Sequence, residues 1–212
     1  MKKGFTLIEM LVVLGIIAAL VGASLGSYSF ATKRAQTARG RELVSNVATA
    51  LNVLYQRQNR WPPRLLTEAE GEGRLTARAA VCLAVHNLMS LTHTTVEEEG
   101  EEIPTLSGLD RCGIVSPWAM EVLKRLPPGD SGLGASVPSG GTVQDHQLHF
   151  ALDTEGTGFV EVRLKGKTVK IRGTAAVWSW GMNGVEDDYE GSLSGRGKCD
   201  DIYSWSRAQE VR

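Results

Sequence analysis

Residues 5–25 (FTLIEMLVVLGIIAALVGASL) are apolar or small throughout, apart from Glu9. As a helix rising about 1.5 Å per residue, this run spans roughly 30 Å, the thickness of one bilayer hydrocarbon core. The pattern then changes without a helix breaker. From Tyr28 to Gln58 there is no proline, and only Gly40 interrupts. Val44, Val47, Leu51 and Leu54 recur at i, i+3, i+7 and i+10, widened by Ala48 and Tyr55. Lys33, Arg34, Arg39, Arg41, Asn46 and Gln56 fill the opposite face. This spacing predicts one helix of about fifty residues, apolar all round over 5–27 and amphipathic over 28–59. It should end near Asn59, because Trp61-Pro62-Pro63 forbids continuation.

Beyond the helix the pattern is less regular. In the stretch 60–146, Leu75, Ala79 and Leu83 predict a second helix over 75–92. The glutamate-rich segment Val96–Glu102 reads as a solvated loop. Ser116-Pro117-Trp118 has an N-cap serine followed by proline at the first helical position, and that helix should run through Leu126. Residues 129–141, rich in Gly, Ser and Pro, read as a loop. From Gln147 the period becomes two: Leu148, Phe150 and Leu152 alternate with His149, Ala151 and Asp153. Phe159–Leu164 alternates again, and a further strand runs from Lys170 or Thr174 to Trp180. An antiparallel meander of about three strands over 147–180, packed on the long helix, is expected. Residues 181–212 then form an irregular loop, which needs something to organise it, either a bound cation or buried tryptophans.

The composition narrows the function only by exclusion. A formal charge of −1 implies neither nucleic acid nor an acidic membrane surface as partner. Cys82, Cys112 and Cys199 form no C-x-x-C pair; if one bridge exists, Cys82–Cys112 closes a loop of moderate length. His86, His93, His146 and His149 lack metal-ligand spacing. Asp153-Thr-Glu-Gly-Thr-Gly158 starts like an EF-hand loop, but Thr157 stands at its third ligand position and Leu164 at the twelfth, so a hairpin turn is expected. No G-x-S-x-G or H-E-x-x-H is present, and no enzyme is expected.

The stretch Lys3-Gly4-Phe5-Thr6-Leu7-Ile8-Glu9 resembles the processing motif of type IV pilins and type II secretion pseudopilins. The resemblance implies that a prepilin peptidase removes residues 1–4, cutting between Gly4 and Phe5, and that Phe5 is then N-methylated. It also gives Glu9 an assembly role, meeting the amino-terminal ammonium of a neighbouring subunit. That would answer a physical problem, since a carboxylate inside a membrane helix costs several kcal/mol unless it is paired. Lys2 and Lys3 would hold the start of the chain on the cytoplasmic side. Gly22 and Gly26 form a G-x-x-x-G, open to helix–helix packing, to local loosening of the helix, or to the ordinary abundance of glycine in membrane helices. The implied fold is the α+β type IV pilin fold, a long helical spine on a small antiparallel sheet. Residues 64–145 would be an enlarged variable insert; they match no motif. The implied partners are identical or related pilin subunits, the peptidase and an inner-membrane assembly platform. The implied location is the bacterial inner membrane, single-pass with the following domain in the periplasm, and then a filament.

The segment from Val177 to Trp205 resembles the carboxy-terminal loop of the type II secretion major pseudopilin, which holds a calcium ion. Asn183 stands where that family has its first aspartate, and Asp200, Asp201 and Trp205 match the closing motif. The resemblance implies Ca2+ with ligands drawn from Asn183, Glu186, Asp187, Asp188, Asp200 and Asp201. An ordinary loop pinned by Trp178, Trp180 and Trp205 is the alternative reading. The expected function is therefore a secretion pseudopilus subunit. A type IV pilus major or minor pilin (for adhesion, motility or DNA uptake) and a membrane-anchored periplasmic binding module are the alternatives.

Overall fold

The computed structural model describes residues 7–71, 73–91, 93–98, 101–106, 114–127, 132–165, 167–189 and 199–211. The chain divides into two compact units, residues 1–38 and 39–212. Helix α1 (Leu7–Gln58) is continuous, as the absence of prolines predicts. In the first unit its large apolar side chains from Leu7 to Val21 are between 45% and 81% exposed, so this stretch has no buried face of its own. Among the described residues no helix is long and apolar enough to cross a membrane.

In the second unit α1 behaves as an amphipathic helix. Val44, Val47, Leu51 and Leu54 are each no more than 1% exposed, which is the predicted stripe. Each such burial stabilises by roughly 1.5–3 kcal/mol as an upper estimate. The helix stops where expected: Asn59 takes a φ of 52°, and its N–H donates to the Tyr55 carbonyl at 2.7 Å. Trp61 then lies against Tyr55, with ring centroids 4.8 Å apart, and its Nε1–H donates to the Asp153 carbonyl at 2.8 Å.

The insert departs from expectation in four places. The two prolines that end α1 also start a new helix, α2 (Pro63–Glu70), because proline suits the first turn, where its missing N–H has no intrahelical partner. Helix α3 (Ala77–Val85) is capped by the Thr76 side chain and ends well before residue 92. Asn87 takes a φ of 53°, and the Leu88 N–H closes onto the Leu83 carbonyl at 2.9 Å, a left-handed helix stop. The glutamate segment is not a loop: β1 (His93–Glu98) pairs antiparallel with β2 (Glu101–Leu106). Thr94, Thr95, Val96, Ile103 and Thr105 carry the strand propensity that the charges masked. Helix α4 (Pro117–Leu123) begins as predicted and ends earlier than Leu126.

The sheet region is two small sheets, not one meander. Strands β3 (His149–Leu152), β6 (Ala175–Ser179) and β7 (Ile202–Tyr203) form one. Strands β4 (Phe159–Leu164), β5 (Lys167–Arg172) and β8 (Glu210–Val211) form the other. The stretch read as a single late strand is two, β5 and β6, separated at Gly173-Thr174. Phe150, Val177 and Ile202 join the α1 stripe in the larger core. Trp178 and Ala176 join Val160, Val162 and Ile171 in a second core. The β3–β6–β7 sheet is thus buried on both faces, with α1 on one side and the other sheet beyond. This explains why His149, expected at a solvated position, is only 6% exposed and stacks on Trp178.

Candidate functional site

Two features concern function, the start of α1 and the loop after β6. Gly4 and Phe5 lie outside the described residues. Glu9 stands in the first turn of α1, exposed, among exposed Leu7, Ile8, Met10 and Leu11. A carboxylate in a first turn is favoured by the helix dipole. Gly15 and Gly22 have nothing within 4 Å of where a Cβ would stand, so each leaves room for close approach.

The loop after β6 folds back on itself through its carboxylates. At Gly181 (φ +60°) the backbone passes so close to residue 200 that an added Cβ would sit 2.3 Å from the Asp200 carbonyl oxygen. This contact lets the amides of Met182 and Asn183 donate to Asp200 Oδ2, the latter at 3.2 Å. The Asp200 N–H donates to Asp187 Oδ2 at 3.0 Å, and the Asp187 N–H donates to Asp201 Oδ2 at 3.0 Å. The Tyr203 hydroxyl donates to the same Asp201 oxygen at 3.1 Å.

These bonds gather Asp187, Asp200 and Asp201, each offering one oxygen, with the three oxygens within 4.8 Å of one another. The Oδ1 atoms of Asp200 and Asp201 are buried without a hydrogen-bond partner. Burial, opposed by the Met182 amide and reinforced by the Asp187 charge, raises the Asp200 carboxyl above its ordinary range. Burial is also the main reason that the Asp201 carboxyl is pushed up to about 7. The Asp187 N–H and the Tyr203 hydroxyl pull it down, while the Asp187 and Asp200 charges add to the rise. Three half-buried carboxylates this close could supply part of the oxygen shell of a hard cation such as Ca2+.

The other expected ligands point elsewhere. Asn183 Oδ1 accepts from the Val185 N–H at 2.8 Å in a local turn. Glu186 Oε1 accepts the Lys165 N–H across the loop. Asp188 is exposed, and its carbonyl faces the Cys199 sulfur at 3.8 Å. The tryptophans also anchor the loop. Trp205 Nε1–H donates to the Tyr189 hydroxyl at 2.8 Å, which donates to Glu210 at 2.7 Å. Cys82 is a free thiol whose pKa burial raises, so the bridge to Cys112 is not formed at this end; Cys112 lies outside the described residues. Asp153 behaves as a turn residue, its carboxylate accepting the Thr157 and Gly158 amides at 3.0 and 2.6 Å.

With this geometry in place, the amino terminus is decisive. Residues 1–25 match the prokaryotic N-terminal methylation motif. That segment is similar to the amino terminus of type IV pilins. Two proteins named type IV major pilin protein PilE1, both from Neisseria gonorrhoeae, are each 34% identical to this chain over 62 residues. The match covers 29% of this chain and 38% and 34% of those pilins, so the chain spans little more than a third of the curated relatives it matches. No solved structure matches. The α+β architecture, a long amino-terminal helix with small antiparallel sheets, is consistent with the type IV pilin fold.

Sequence reasoning missed one part of the loop's support in this pilin-like chain. His146 was assigned no chemistry, yet it is 1% exposed and lies under Gly184, where a Cβ would stand 3.0 Å from its Nε2. The only signal was its place in a polar turn just before a strand, which many surface histidines share.

Proposed function

We propose that this protein is a structural subunit of a type II secretion-type pseudopilus. A prepilin peptidase processes it between Gly4 and Phe5, and it assembles from the inner membrane through α1. The observation that carries this reading is Glu9, the single charged residue of the exposed apolar stretch of α1, set within the methylation motif. In the membrane the helix is a single pass with the following domain in the periplasm, and Glu9 meets the amino-terminal ammonium of a neighbouring copy. That pairing removes the cost of a lone carboxylate in hydrocarbon.

The carboxylate loop inclines the reading toward a secretion pseudopilus, with Ca2+ held by Asp187, Asp200 and Asp201. The ion would neutralise three crowded charges and give the two unpartnered Oδ1 atoms a ligand. The second reading is a type IV pilus subunit, favoured by the pilins that this chain resembles.

The test is mass spectrometry of the mature protein joined to a Glu9→Ala variant. N-methyl-Phe5 and a variant that is exported but absent from filaments are expected. An intact Met1, or normal incorporation of the variant, overturns the reading. For the loop, millimolar Ca2+ should raise the Tm of the wild type and leave that of Asp200→Asn unchanged; equal Tm with Ca2+ and with chelator removes the cation.

A further inference from the structure

The near-neutral overall charge hides a local asymmetry along α1. Between Met10 and Arg41 the sequence carries Lys33, Arg34, Arg39 and Arg41 and no acidic residue. Within the first unit, Lys33 and Arg34 are exposed and follow directly on two exposed aromatics, Tyr28 at 72% and Phe30 at 58%. The Arg34 guanidinium sits over the Phe30 ring, 4.3 Å from its centroid, as the i, i+4 spacing allows. Neither Lys33 nor Arg34 meets a carboxylate among the described residues.

An order of apolar run, aromatics and then cations is the order of a bilayer read outward from its core. Aromatic rings favour the boundary between hydrocarbon and headgroup, and cations one or two turns further on reach the phosphates. We propose that Tyr28, Phe30, Lys33 and Arg34 form a collar that binds anionic phospholipid headgroups of the outward-facing leaflet. The proposal rests on the membrane-inserted helix of the preceding section. Charge complementarity selects the occupant: two cations without a carboxylate partner, beside exposed aromatics, match a phosphate at a lipid surface. The collar holds the subunit at a defined depth before assembly. With Lys2 and Lys3 removed by processing, it also carries the first lysine and arginine of the mature chain.

The test uses the full chain in vesicles of phosphatidylcholine with phosphatidylglycerol, and spin-labelled forms of each lipid to report which one contacts the protein. Flotation with pure phosphatidylcholine vesicles first checks insertion; a chain that does not float overturns the membrane reading and the collar together. Given flotation, labelled phosphatidylglycerol should associate roughly fivefold more strongly than phosphatidylcholine, with the preference weakening in salt. The Lys33→Gln/Arg34→Gln variant should float equally well and lose the preference. Equal association of both lipids with the wild type, or a preference kept by the double variant, overturns the collar alone. A double variant that keeps lipid preference but loses cross-linking between copies would instead make a second copy the occupant, and also overturns it.

Discussion

Ser116 and His146 are joined twice: the Ser116 N–H donates to the His146 carbonyl at 2.8 Å, and their side chains meet at 2.8 Å between Oγ and Nδ1. His146 Nε2 lies 2.9 Å from the Gly140 carbonyl, which can only accept, so Nε2 carries the proton. In the neutral ring Nδ1 is then the acceptor and the serine hydroxyl the donor. Ser116 therefore spends its hydroxyl on the histidine and makes no side-chain cap for α4.

Replacing Ser116 with alanine should accordingly destabilise through His146, not through the helix. A buried ring nitrogen loses its donor, which costs about 1–3 kcal/mol. Urea unfolding of Ser116→Ala should show that loss, and an Ala119→Gly control should separate it from the propensity of α4.

Gly40 brings α1 close to Ile202 and Trp118. A Cβ there would meet Ile202 Cδ1 at 2.8 Å and Trp118 Cζ3 at 3.5 Å. The methyl end of Ile202 can yield, and alanine gains about 1 kcal/mol of helix propensity, so Gly40→Ala should be nearly neutral. Gly40→Val should cost about 1–3 kcal/mol by overpacking. Thermal melting of the two variants should separate them clearly.

Gly181 has no such freedom. Its φ is +60°, and a side chain would strike the Asp200 carbonyl group first and then its Cγ. Gly181→Ala should open the loop and abolish any Ca2+-dependent rise in Tm. It should leave the α1 stripe protected in hydrogen exchange, because that core lies on the other side of β6.

The raised Asp201 carboxyl sets a pH dependence for the cation-free protein. Its folded value, about 7, stands above the ordinary aspartate value of 3.8, so between those limits the folded state binds more protons than the unfolded state. Stability then falls as pH rises from about 4 to about 7 and levels off above. In chelator, the Tm should be higher at pH 5 than at pH 8, and Asp201→Asn should flatten that difference.

The long helix was legible because its signals are local and repeated: an apolar run, a 3.6-residue stripe and a double-proline stop. The hairpin β1–β2 was not, because its glutamates look like a solvated run while the pairing of Glu97 with Glu102 and Glu98 with Glu101 is invisible in one dimension. The two-sheet arrangement was hidden for a related reason. β3 is buried on both faces, so His149 imitates an outward polar residue although Trp178 covers it. In the loop, Asp200 and Asp201 were found by resemblance. That Asp187 joins them, and Asn183, Glu186 and Asp188 do not, depends on which amides each carboxylate reaches, and spacing does not encode that.

β7 is two residues long, Ile202 and Tyr203, and it covers the edge of β6 at Ser179 and Trp178. Those residues follow directly on Asp200 and Asp201, so the carboxylate turn and the edge cover close together or not at all. An open turn would leave β6 as a bare strand beside a cluster of aromatic rings, the kind of surface that proteases and stray strands seize. Whatever neutralises the aspartates therefore also governs the lifetime of the subunit while it waits to be used.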